Sequence, residues 1–303
     1  MNPLPEFEEM FRCGFVTIIG APNVGKSTLL NHLTGQKISI TSRKPQTTRN
    51  RITGIVHRPH SQLIFLDTPG IHKADGRLHE RIVGQALATI SNVDAILLVI
   101  DASRPDRESE TIIQSALKRQ NLPAVLALNK IDLINKPDLL LLMDRWKNLH
   151  TFRAIVPVSA LKGEQTGSLL DELEAILPTG PALFPTDSIT DVSMRFLAAE
   201  IIREKVFRFT GEEIPYAVAV TIESYSEEPQ KPLTRIHATI HVERDSQKGI
   251  IIGKGGERLK RIGETARKEI EELVETPVFL KLFVRIQKNW SRDSKALDRF
   301  GYG

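Results

Sequence analysis

The stretch "GAPNVGKST", residues 20–28, decides the fold of the first part of the chain. It follows the apolar run "FVTII" and precedes residues of helical character, so it predicts a glycine-containing loop between a strand and a helix. The spacing G-x-x-x-x-G-K-[ST] is typical of a loop whose backbone amides surround phosphate groups. Lys26 is expected to reach the β- and γ-phosphates of a nucleotide, and the Ser27 hydroxyl to hold Mg²⁺. This motif alone does not separate ATP from GTP.

Apolar runs continue outward from this loop at regular intervals. They are continuous rather than alternating, which is typical of strands buried on both faces of a parallel sheet. The runs are "FVTIIG", "LIFLD", "AILLVID", "AVLALNK" and "AIVPVSA". Helical segments are predicted between them at 27–35, 80–90, 107–120, 138–149 and 168–177. This alternation indicates a doubly wound α/β domain, with "RITGIVHR" at 51–58 as an antiparallel edge strand.

The pattern changes after "LPTGPALFPTD", residues 177–187, where three prolines and a glycine predict a linker. A helix at 192–209 is followed by the alternating runs "PYAVAVTIES" and "RIHATIHVER", a glycine-rich turn, a helix at 256–275 and the alternating run "VFLKLFVRIQ". The order α-β-β-α-α-β predicts a small α+β domain. We therefore divide the chain into a nucleotide-binding domain at 1–180, a linker at 181–191 and a second domain at 192–303.

The segment "NKID", Asn129–Asp132, distinguishes between the two nucleotides. Guanine presents two adjacent N–H groups that one carboxylate accepts together, and adenine presents no such pair, so Asp132 favours GTP. Asn129 is expected to join this segment to the phosphate loop, and the Lys130 stem to cover the base. The segment "SAL" at 159–161 follows the next strand, where a backbone amide would meet guanine O6. Each short motif alone is compatible with a plain loop, but their order after successive strands favours a GTP site.

The segment "DTPG", residues 67–70, ends its own strand at the sheet edge where such folds bind ligands. Asp67 is expected to hold Mg²⁺ through water, and the Gly70 amide to meet the γ-phosphate. The polar stretch "SRKPQTTRNR" at 42–51 is expected to be a mobile switch, in which Thr47 or Thr48, with Thr48 favoured, completes the Mg²⁺ shell. Lys26, Thr48 and Gly70 are thus the candidate catalytic residues.

These motifs resemble those of the translation-factor-like GTPases, and "GAPNVGKST", "KPQTTR", "DTPGIH" and "NKID" are similar to those of the Era family. The resemblance implies a potassium ion held against the phosphates by the Asn23 side-chain oxygen, and the alternative is that Asn23 only shapes the loop. The residues expected to contact GTP are Gly20, Ala21, Pro22, Asn23, Val24, Gly25, Lys26, Ser27, Thr28, Asp67, Thr68, Pro69, Gly70, Ile71, Asn129, Lys130, Ile131, Asp132, Ser159 and Ala160.

The second domain contains "GKGG", residues 253–256, before a helix rich in basic residues. A GxxG turn lets a nucleic-acid backbone approach without a Cβ clash, as in KH domains. A lone GxxG is equally a helix cap before a solvated face, but the α-β-β-α-α-β order matches a type II KH domain. The expected RNA contacts are Ile252, Gly253, Lys254, Gly255, Gly256, Arg258, Lys260 and Arg261. The groove would lie between the turn and the edge strand, and Ile250, Ile251 and Ile252 would form either its floor or part of the core.

One GTP-binding domain followed by one type II KH domain is the arrangement of the Era family, whereas the related Der proteins have two GTP-binding domains. The resemblance implies binding of GTP and GDP, contact with single-stranded RNA near the 3′ end of the small-subunit ribosomal RNA, and a role in maturation of the small subunit. It also implies a cytoplasmic protein with peripheral contact to the inner membrane. We expect a monomer.

Composition agrees with a globular protein: 41% of the 303 residues are hydrophobic, 26% are charged, and the net charge is +4. The single cysteine, Cys13, excludes an intramolecular disulfide and is expected to be inert. The basic residues are locally concentrated, because seven lie between residues 248 and 268 against only Glu257 and Glu264. This local excess, rather than the net charge, indicates a nucleic-acid partner.

Ile71 raises a question about turnover. In the familiar GTPase arrangement, a glutamine in this position orients the attacking water, and isoleucine cannot form that hydrogen bond. The sequence therefore predicts slow hydrolysis assisted by the switch backbone, by a cation or by Arg43, Arg49 or Arg51, whose solvated or RNA-facing placement is favoured. The alternative is an RNA-binding scaffold that is gated by nucleotide and does not hydrolyse it. An ATP-dependent enzyme is disfavoured by Asp132.

Overall fold

The computed structural model of the protein describes residues 11–42, 44, 47–72, 83–84, 88–89, 92–211, 214, 218–228 and 231–301. Within this part of the chain, two compact units are distinguished. The first contains the described residues within 1–37, 51–73 and 86–191, and the second contains those within 38–50, 74–85 and 192–303. The main part of the second unit begins at the predicted residue 192, and the unit also includes the segment 38–50, which the sequence assigned to the first domain.

The first unit is built on a six-stranded sheet. Its strands are β1 (Arg12–Ile19), β2 (Ile52–Arg58), β3 (Ser61–Asp67), β4 (Ala95–Asp101), β5 (Ala124–Asn129) and β6 (Ala154–Val158). The spatial order is β2-β3-β1-β4-β5-β6. Strand β2 is antiparallel to β3 at one edge, and the other neighbouring strands are parallel. The doubly wound α/β fold and its antiparallel edge strand are therefore confirmed.

Four described helices connect these strands: α1 (Lys26–Thr34), α2 (Arg107–Leu117), α3 (Lys136–Leu149) and α4 (Thr166–Glu174). Local sequence explains where two of them start. Asp106 accepts a hydrogen bond from the Ser109 amide before α2, and Asn135 accepts one from the Asp138 amide before α3. The helix predicted at 80–90 lies mostly outside the described residues.

The segment 181–191 was predicted to be a linker, but it is fastened along the edge of the first unit. The buried Gln62 side chain accepts hydrogen bonds from the amides of Leu183 and Phe184 and donates one to the Phe184 carbonyl. The Ile55 amide donates to the Ile189 carbonyl. Two prolines, Pro181 and Pro185, restrict this stretch, and the buried glutamine satisfies part of its backbone, so it packs as an extension of the first unit.

The second unit contains helices α5 (Met194–Phe209), α6 (Asp245–Ile252), α7 (Glu257–Val274) and α8 (Ser294–Arg299). Its strands are β7 (Ala219–Glu227), β8 (Thr234–Val242) and β9 (Val278–Ile286). They form a sheet of order β7-β8-β9, in which β8 is antiparallel to β7 and parallel to β9. The predicted α-β-β-α-α-β order is confirmed, and α8 follows it.

The core of the second unit lies between one face of this sheet and the helices. It is formed by alternate residues of the strands, such as Ile236, Ala238 and Ile240, and by the apolar side of α7. Of the three isoleucines that the sequence left open, Ile251 is fully buried in this core, whereas Ile250 is exposed. Ile251 therefore does not form the floor of a groove.

Ile71 lies in the core of the first unit. Its side chain is fully buried in a cluster with residues of β1, β4 and β5, such as Ile19 and Leu98. Its amide donates a hydrogen bond to the Gly20 carbonyl at 3.0 Å. The Ile71 backbone therefore helps to hold the phosphate loop in place. Its side chain packs in the core and is not placed to contact a nucleotide.

Replacing Ile71 should lower stability more than it alters chemistry. We expect Ile71→Ala to reduce the free energy of unfolding by about 2–5 kcal/mol because it leaves a cavity, and Ile71→Val by about 0.5–1.5 kcal/mol. Urea unfolding followed by circular dichroism measures both values. Where the variants remain folded, the rate of GTP hydrolysis should stay within about tenfold of wild type. Wild-type stability of Ile71→Ala would contradict the buried position.

Candidate nucleotide and RNA sites

The phosphate loop depends on a glycine at residue 25. Gly25 has φ +100°, a conformation that side-chain-bearing residues rarely adopt. A Cβ there would lie 2.2 Å from the Asn129 Nδ2 atom. Glycine is therefore required both by the local backbone and by the approach of the loop that follows β5.

Lys26 is drawn into the phosphate loop. Its Nζ atom donates hydrogen bonds to the carbonyls of Gly20 at 3.0 Å and Ala21 at 2.9 Å, and its side chain is buried. Burial lowers the pKa of Lys26 to about 8, and the nearby Asp67 carboxylate opposes that shift. The ammonium thus occupies the concave side of the loop, where the motif predicts that phosphate oxygens bind.

Ser27 and Asp67, two of the three residues predicted to hold Mg²⁺, are in direct contact. The Ser27 hydroxyl donates to the Asp67 Oδ2 atom at 2.7 Å. Mg²⁺ prefers oxygen ligands and is usually held by one or two protein groups together with water and phosphate. No cluster of three or more His, Cys, Asp or Glu residues occurs among the described residues. A hydroxyl beside one carboxylate fits Mg²⁺ that arrives with a nucleotide.

The segment after Asp67 packs tightly against the phosphate loop. A Cβ at Gly70 would lie 2.7 Å from the Pro22 nitrogen, so only glycine fits there. The Thr68 hydroxyl donates to the Ile18 carbonyl at 2.7 Å inside the protein. Thr68 was expected to contact nucleotide, but its side chain is used to fasten this segment to β1. The backbone of this segment is joined to the phosphate loop by the hydrogen bond from the Ile71 amide to the Gly20 carbonyl.

The side chain of Asn129 connects three loops. Its Nδ2 atom donates to the Val24 carbonyl at 2.7 Å, and its Oδ1 atom accepts from the Ala160 amide at 2.9 Å. The tie to the phosphate loop is the one that the sequence predicts. The Ser159 amide donates to the Glu164 carbonyl, so this amide is used within its own loop. A contact from residue 159 or 160 to guanine O6 would therefore have to share or replace one of these bonds.

Asp132 is held in place by a serine. Its Oδ1 atom accepts from the buried Ser159 hydroxyl at 2.7 Å, and Asp132 itself is partly exposed in a short 3₁₀ helix, Ile131–Leu133. Lys130, at φ +67°, extends its Nζ atom to the Asn23 carbonyl at 2.8 Å and to Asp101 Oδ2 at 2.5 Å. The carboxylate predicted to bind guanine and the lysine stem predicted to cover the base are thus both held by hydrogen bonds to neighbouring residues.

Asn23 also occupies a left-handed conformation, with φ +61°, in the middle of the phosphate loop. Asparagine is one of the few residues that adopt this conformation readily. A role in shaping the loop therefore has direct support. Its side chain is exposed, so a second role toward a cation is sterically open.

The predicted switch packs within the second unit. Arg49 is fully buried, donates to the Val218 carbonyl at 2.7 Å and lies over the Phe207 ring at 5.8 Å. The Arg203 guanidinium donates to the Thr47 carbonyl at 2.6 Å. The expectation that Arg49 is solvated or RNA-facing is therefore wrong, and the described part of this segment is packed rather than loose.

Thr48, the favoured third Mg²⁺ ligand, lies in this packed segment. It is buried, and its segment groups with the second unit, whereas Ser27 and Asp67 belong to the first. The structure shows Ser27 and Asp67 in contact within the first unit, and the part of Thr48 in metal binding stays a prediction. Arg51, two residues beyond Arg49, is exposed at the point where the chain returns to the first unit, and Arg43 lies outside the described residues.

The GxxG turn of the second unit has the backbone that glycine permits. Gly253, Gly255 and Gly256 have φ values of +73°, +60° and +82°. No atom lies within 4 Å of the positions that a Cβ would take at Gly255 and Gly256. The turn is thus a bare stretch of backbone ahead of helix α7, open to an approaching chain.

A groove of about 400 Å³ runs beside this turn, between α7 and the edge strand β9. Apolar side chains of both elements line it, with basic residues along the helix: Gly256, Leu259, Lys260, Gly263, Glu264, Arg267, Leu280 and Leu282. The predicted position between turn and edge strand agrees with this groove. Its apolar wall, however, comes from Leu280 and Leu282, which the sequence analysis missed. Their alternation with charged and aromatic residues in "VFLKLFVRIQ" is the signal that could have identified them.

The predicted basic contacts differ in their surroundings. Lys254 and Lys260 are exposed beside the turn. Arg258 instead folds back and donates to the Ile250 carbonyl, and Arg261 stacks on the Phe209 ring at 4.5 Å. Arg258 therefore stabilises the turn, and the two lysines are better placed to meet phosphates.

The phosphate-loop site of the first unit and the GxxG turn with its groove in the second define the class of this protein. It has a P-loop GTPase domain followed by a KH domain. A family model described as a 50S ribosome-binding GTPase matches residues 15–130, and one described as a KH domain matches residues 213–291. The chain is 53% identical to the GTPase Era of Geotalea daltonii over 97% of this chain and 99% of that protein. It is 51% identical to the GTPase Era of Syntrophus aciditrophicus over 97% and 96%.

Two solved structures are similar over nearly the whole chain. One is Era in complex with MgGDPNP and nucleotides 1506–1542 of 16S ribosomal RNA, with a TM-score of 0.92 and 42% identity over 97% of this chain and 99% of that chain. The other is a variant of Aquifex aeolicus Era bound to GDP and AlF₄⁻, with a TM-score of 0.92 and 42% identity over 97% and 100%. The chain belongs to the Era family of GTPases. Among its described residues, no helix is long and apolar enough to cross a membrane.

Removing the buried Arg49 guanidinium should loosen the segment 38–50. We expect Arg49→Ala to accelerate amide hydrogen exchange in peptides that contain residues 47–50 and to lower the free energy of unfolding by about 1–3 kcal/mol, because a buried charge-assisted hydrogen bond is lost. Arg51→Ala, an exposed control in the same stretch, should leave both measurements unchanged. Equal exchange in wild type and Arg49→Ala would show that this contact does not hold the segment.

Proposed function

We propose that the protein is a GTP-hydrolysing switch that binds single-stranded ribosomal RNA through its KH domain and assists maturation of the small ribosomal subunit. GTP binding is supported by the hydrogen bonds that hold Asn129, Ser159 and Asp132 in place beside the phosphate loop. The bare GxxG turn beside the groove at β9 carries the RNA half. The solved Era structure that contains MgGDPNP and a 16S ribosomal RNA fragment supports both halves.

Guanine selection rests on Asp132. The Ser159 hydroxyl donates a hydrogen bond to its Oδ1 atom. This bond fixes the plane of the carboxylate and therefore the direction of Oδ2. A carboxylate fixed in this way accepts the paired N–H groups of guanine, and binding of adenine would leave it without donors. The Lys130 stem, anchored at Asn23 and Asp101, would lie along the base.

Hydrolysis needs charge compensation between the phosphates and a positioned water. Mg²⁺, held by Ser27 and Asp67 when nucleotide binds, would supply part of the positive charge. Lys26 would exchange its bonds with the Gly20 and Ala21 carbonyls for bonds with phosphate oxygens. Because the Ile71 side chain is in the core, the water must be oriented by backbone groups, of which the Gly70 amide and the switch are the candidates.

Thr48 enters this scheme through a rearrangement. Its segment packs in the second unit, held by Arg49 and by the contact of Arg203 with Thr47. A metal contact by Thr48 in the GTP state would use the same short segment in which Thr47 and Arg49 are bound to the second unit. We therefore propose that GTP binding competes with the packing of residues 38–50 in the second unit.

A potassium ion is the proposed second source of charge. The resemblance to the Era family supports it, together with the exposed Asn23 side chain in the phosphate loop. The oxygen of this side chain would hold the ion against the phosphates. The competing explanation is that Asn23 is present because the loop needs its left-handed backbone, and the two explanations make different predictions for Ala and Gly at this position.

The remaining parts of the proposal rest on the family resemblance. They are association with the small ribosomal subunit, a monomeric state, and a cytoplasmic site of action with peripheral contact to the inner membrane. The alternative function, an RNA-binding scaffold without turnover, is not favoured, because a relative at 42% identity binds the transition-state mimic GDP with AlF₄⁻.

The base assignment can be tested at Asp132. Asp132→Asn should shift the preference from GTP toward xanthosine triphosphate, because an amide nitrogen can donate to the carbonyl that replaces the guanine amine. The Asn side-chain oxygen can still accept the Ser159 hydroxyl, so the loop should keep its shape. Competition binding against labelled GDP measures the preference, and Asp144→Asn, an exposed carboxylate on α3, is the matched control. Unchanged guanine preference in Asp132→Asn would overturn the assignment.

The potassium proposal can be separated from loop shaping with two substitutions. Turnover should be faster in KCl than in NaCl at equal ionic strength, and Asn23→Ala should abolish the difference. Asn23→Gly keeps a residue that accepts φ +61° but lacks the side-chain oxygen, so it should also lose the difference if the oxygen holds the ion. Recovery of the potassium effect in Asn23→Gly would indicate loop shaping alone. Equal rates of the wild type in both salts would exclude the ion.

The RNA half can be tested at the GxxG turn. Gly256→Asp adds a Cβ and a negative charge where phosphates would pass, so RNA affinity should fall while GTP affinity stays unchanged. Gly256→Ala separates the two effects, because it strains the φ +82° backbone to a similar degree without adding charge. Gly167→Asp, an exposed glycine of α4 in the first unit, is the control for charge. Full RNA binding by Gly256→Asp in fluorescence anisotropy would place the site elsewhere.

A further inference from the structure

The two faces of strand β9 carry different side chains. Leu280 and Leu282 point toward the groove beside α7. The opposite face of the strand is more exposed, and we call its side chains the outer row. The outer row consists of Phe279, Lys281, Phe283 and Arg285. Aromatic and cationic residues therefore alternate along one side of an edge strand, directly behind the groove that is proposed to bind RNA.

The two phenylalanines are unusually open for residues of a sheet. Phe279 and Phe283 are each 45% exposed, and the other large apolar side chains exposed among the described residues are Leu, Ile or Met. The two phenylalanines are four positions apart in the strand, which corresponds to about 13 Å between their Cα atoms. Exposed aromatic rings on one surface indicate an interaction site more strongly than scattered aliphatic residues do.

Neighbouring cations hold these rings in place. The Lys281 Nζ atom lies 5.1 Å from the centre of the Phe283 ring, and the Arg235 guanidinium lies 5.5 Å from that of Phe279. The His237 ring meets Phe279 edge-on at 6.3 Å. Each phenylalanine therefore presents an oriented ring beside a positive charge, and such pairs suit a ligand that is both planar and anionic.

The charge of this face is modestly positive. Arg235 is paired with Glu228. The pKa of the Glu223 carboxylate is lowered mainly by a hydrogen bond from Thr221 and to a smaller extent by the positive charge of Arg285. Lys281 has no ion pair with a carboxylate among the described residues. Stacking is therefore the main attraction that this surface offers, and phosphate contact through Lys281 and Arg285 is the smaller one.

We propose that the outer row is a second contact surface for single-stranded RNA, onto which bases stack after the chain leaves the groove. The order β7-β8-β9 places β9 at the sheet edge, so one RNA chain can pass from Leu280 and Leu282 around that edge to Phe279 and Phe283. Every base has a flat face, so stacking on such rings tolerates many sequences. The inference rests on the proposed binding of RNA in the groove and extends it.

The test compares long and short RNA. The long probe is the fluorescein-labelled 16S ribosomal RNA fragment 1506–1542, which the similar Era structure contains. The short probe is the tightest-binding tetranucleotide from a set tiled across that fragment, because a GxxG turn clamps about four nucleotides. Affinities of the full-length protein are measured by fluorescence anisotropy at several salt concentrations.

Replacing both rings, Phe279→Ala with Phe283→Ala, should weaken the long probe by about fivefold or more for each ring that stacks a base, and leave the tetranucleotide unchanged. Phe279→Trp with Phe283→Trp should retain the affinity for the long probe. Lys281→Ala should reduce the slope of log affinity against log salt concentration by about one unit, which corresponds to one phosphate contact. Leu133→Ala with Leu141→Ala, exposed apolar residues of the first unit, is the control for loss of surface hydrophobicity.

A second measurement detects the contact in the wild-type protein, so that it does not depend on a variant that could misfold. Cross-linking of the long probe, carrying 4-thiouridine, should label the peptide that contains Phe279 and Phe283 in the wild type. Gly256→Asp, which blocks the groove, should weaken both probes. If Gly256→Asp has no effect, the proposed RNA function fails. If Gly256→Asp weakens both probes but the double alanine variant binds the long probe as wild type does, the outer row does not bind RNA. A change in self-association of the double variant, with unchanged RNA affinity, would assign this face to protein contact and also overturn the proposal.

Discussion

The side-chain amide of Asn129 connects the phosphate loop, the end of β5 and the loop after β6 by hydrogen bonds. Its nitrogen binds the phosphate loop at Val24, and its oxygen binds the loop after β6 at Ala160. This geometry is possible only because residue 25 has no Cβ, which would lie 2.2 Å from the same nitrogen. Three segments that are far apart in the chain thus depend on one buried side chain and one glycine. Aspartate at residue 129 would lose the donor and face the Val24 carbonyl with a negative oxygen.

The second unit uses its own elements twice. Strand β9 lines the groove with Leu280 and Leu282 on one face and exposes Phe279 and Phe283 on the other. Helix α5 similarly contributes to the core on one side and binds the segment 38–50 on another, through the Arg203 contact with Thr47. The Glu200 carboxylate holds the Arg203 guanidinium in a buried ion pair, which orients that contact. A buried pair of this kind stabilises little by itself, but it fixes direction.

The sequence was sufficient for the order of the elements and for the nucleotide loops, because both depend on short-range patterns. Continuous apolar runs, a glycine at residue 25 and "NKID" after a strand each carry a local physical reason. It failed where long-range contacts decide the outcome. The polar stretch around Thr48 and Arg49 has no apolar periodicity, and its packing depends on Val218 and Phe207, more than 150 residues away. The stretch from Leu183 to Ile189 contains the turn-forming Pro185, and nothing local indicates that Gln62 would bind its backbone.

The course of the chain has a further consequence for the segment 38–50. Both of its ends continue into the first unit, although its own contacts are made in the second. The detachment and return that we propose for this segment would therefore be steps within one molecule, with an effective concentration that is set by two short covalent tethers rather than by the amount of protein. Dilution cannot keep this segment detached. Only a ligand that holds it elsewhere can shift that balance, and the shift is limited by the difference between the two binding energies.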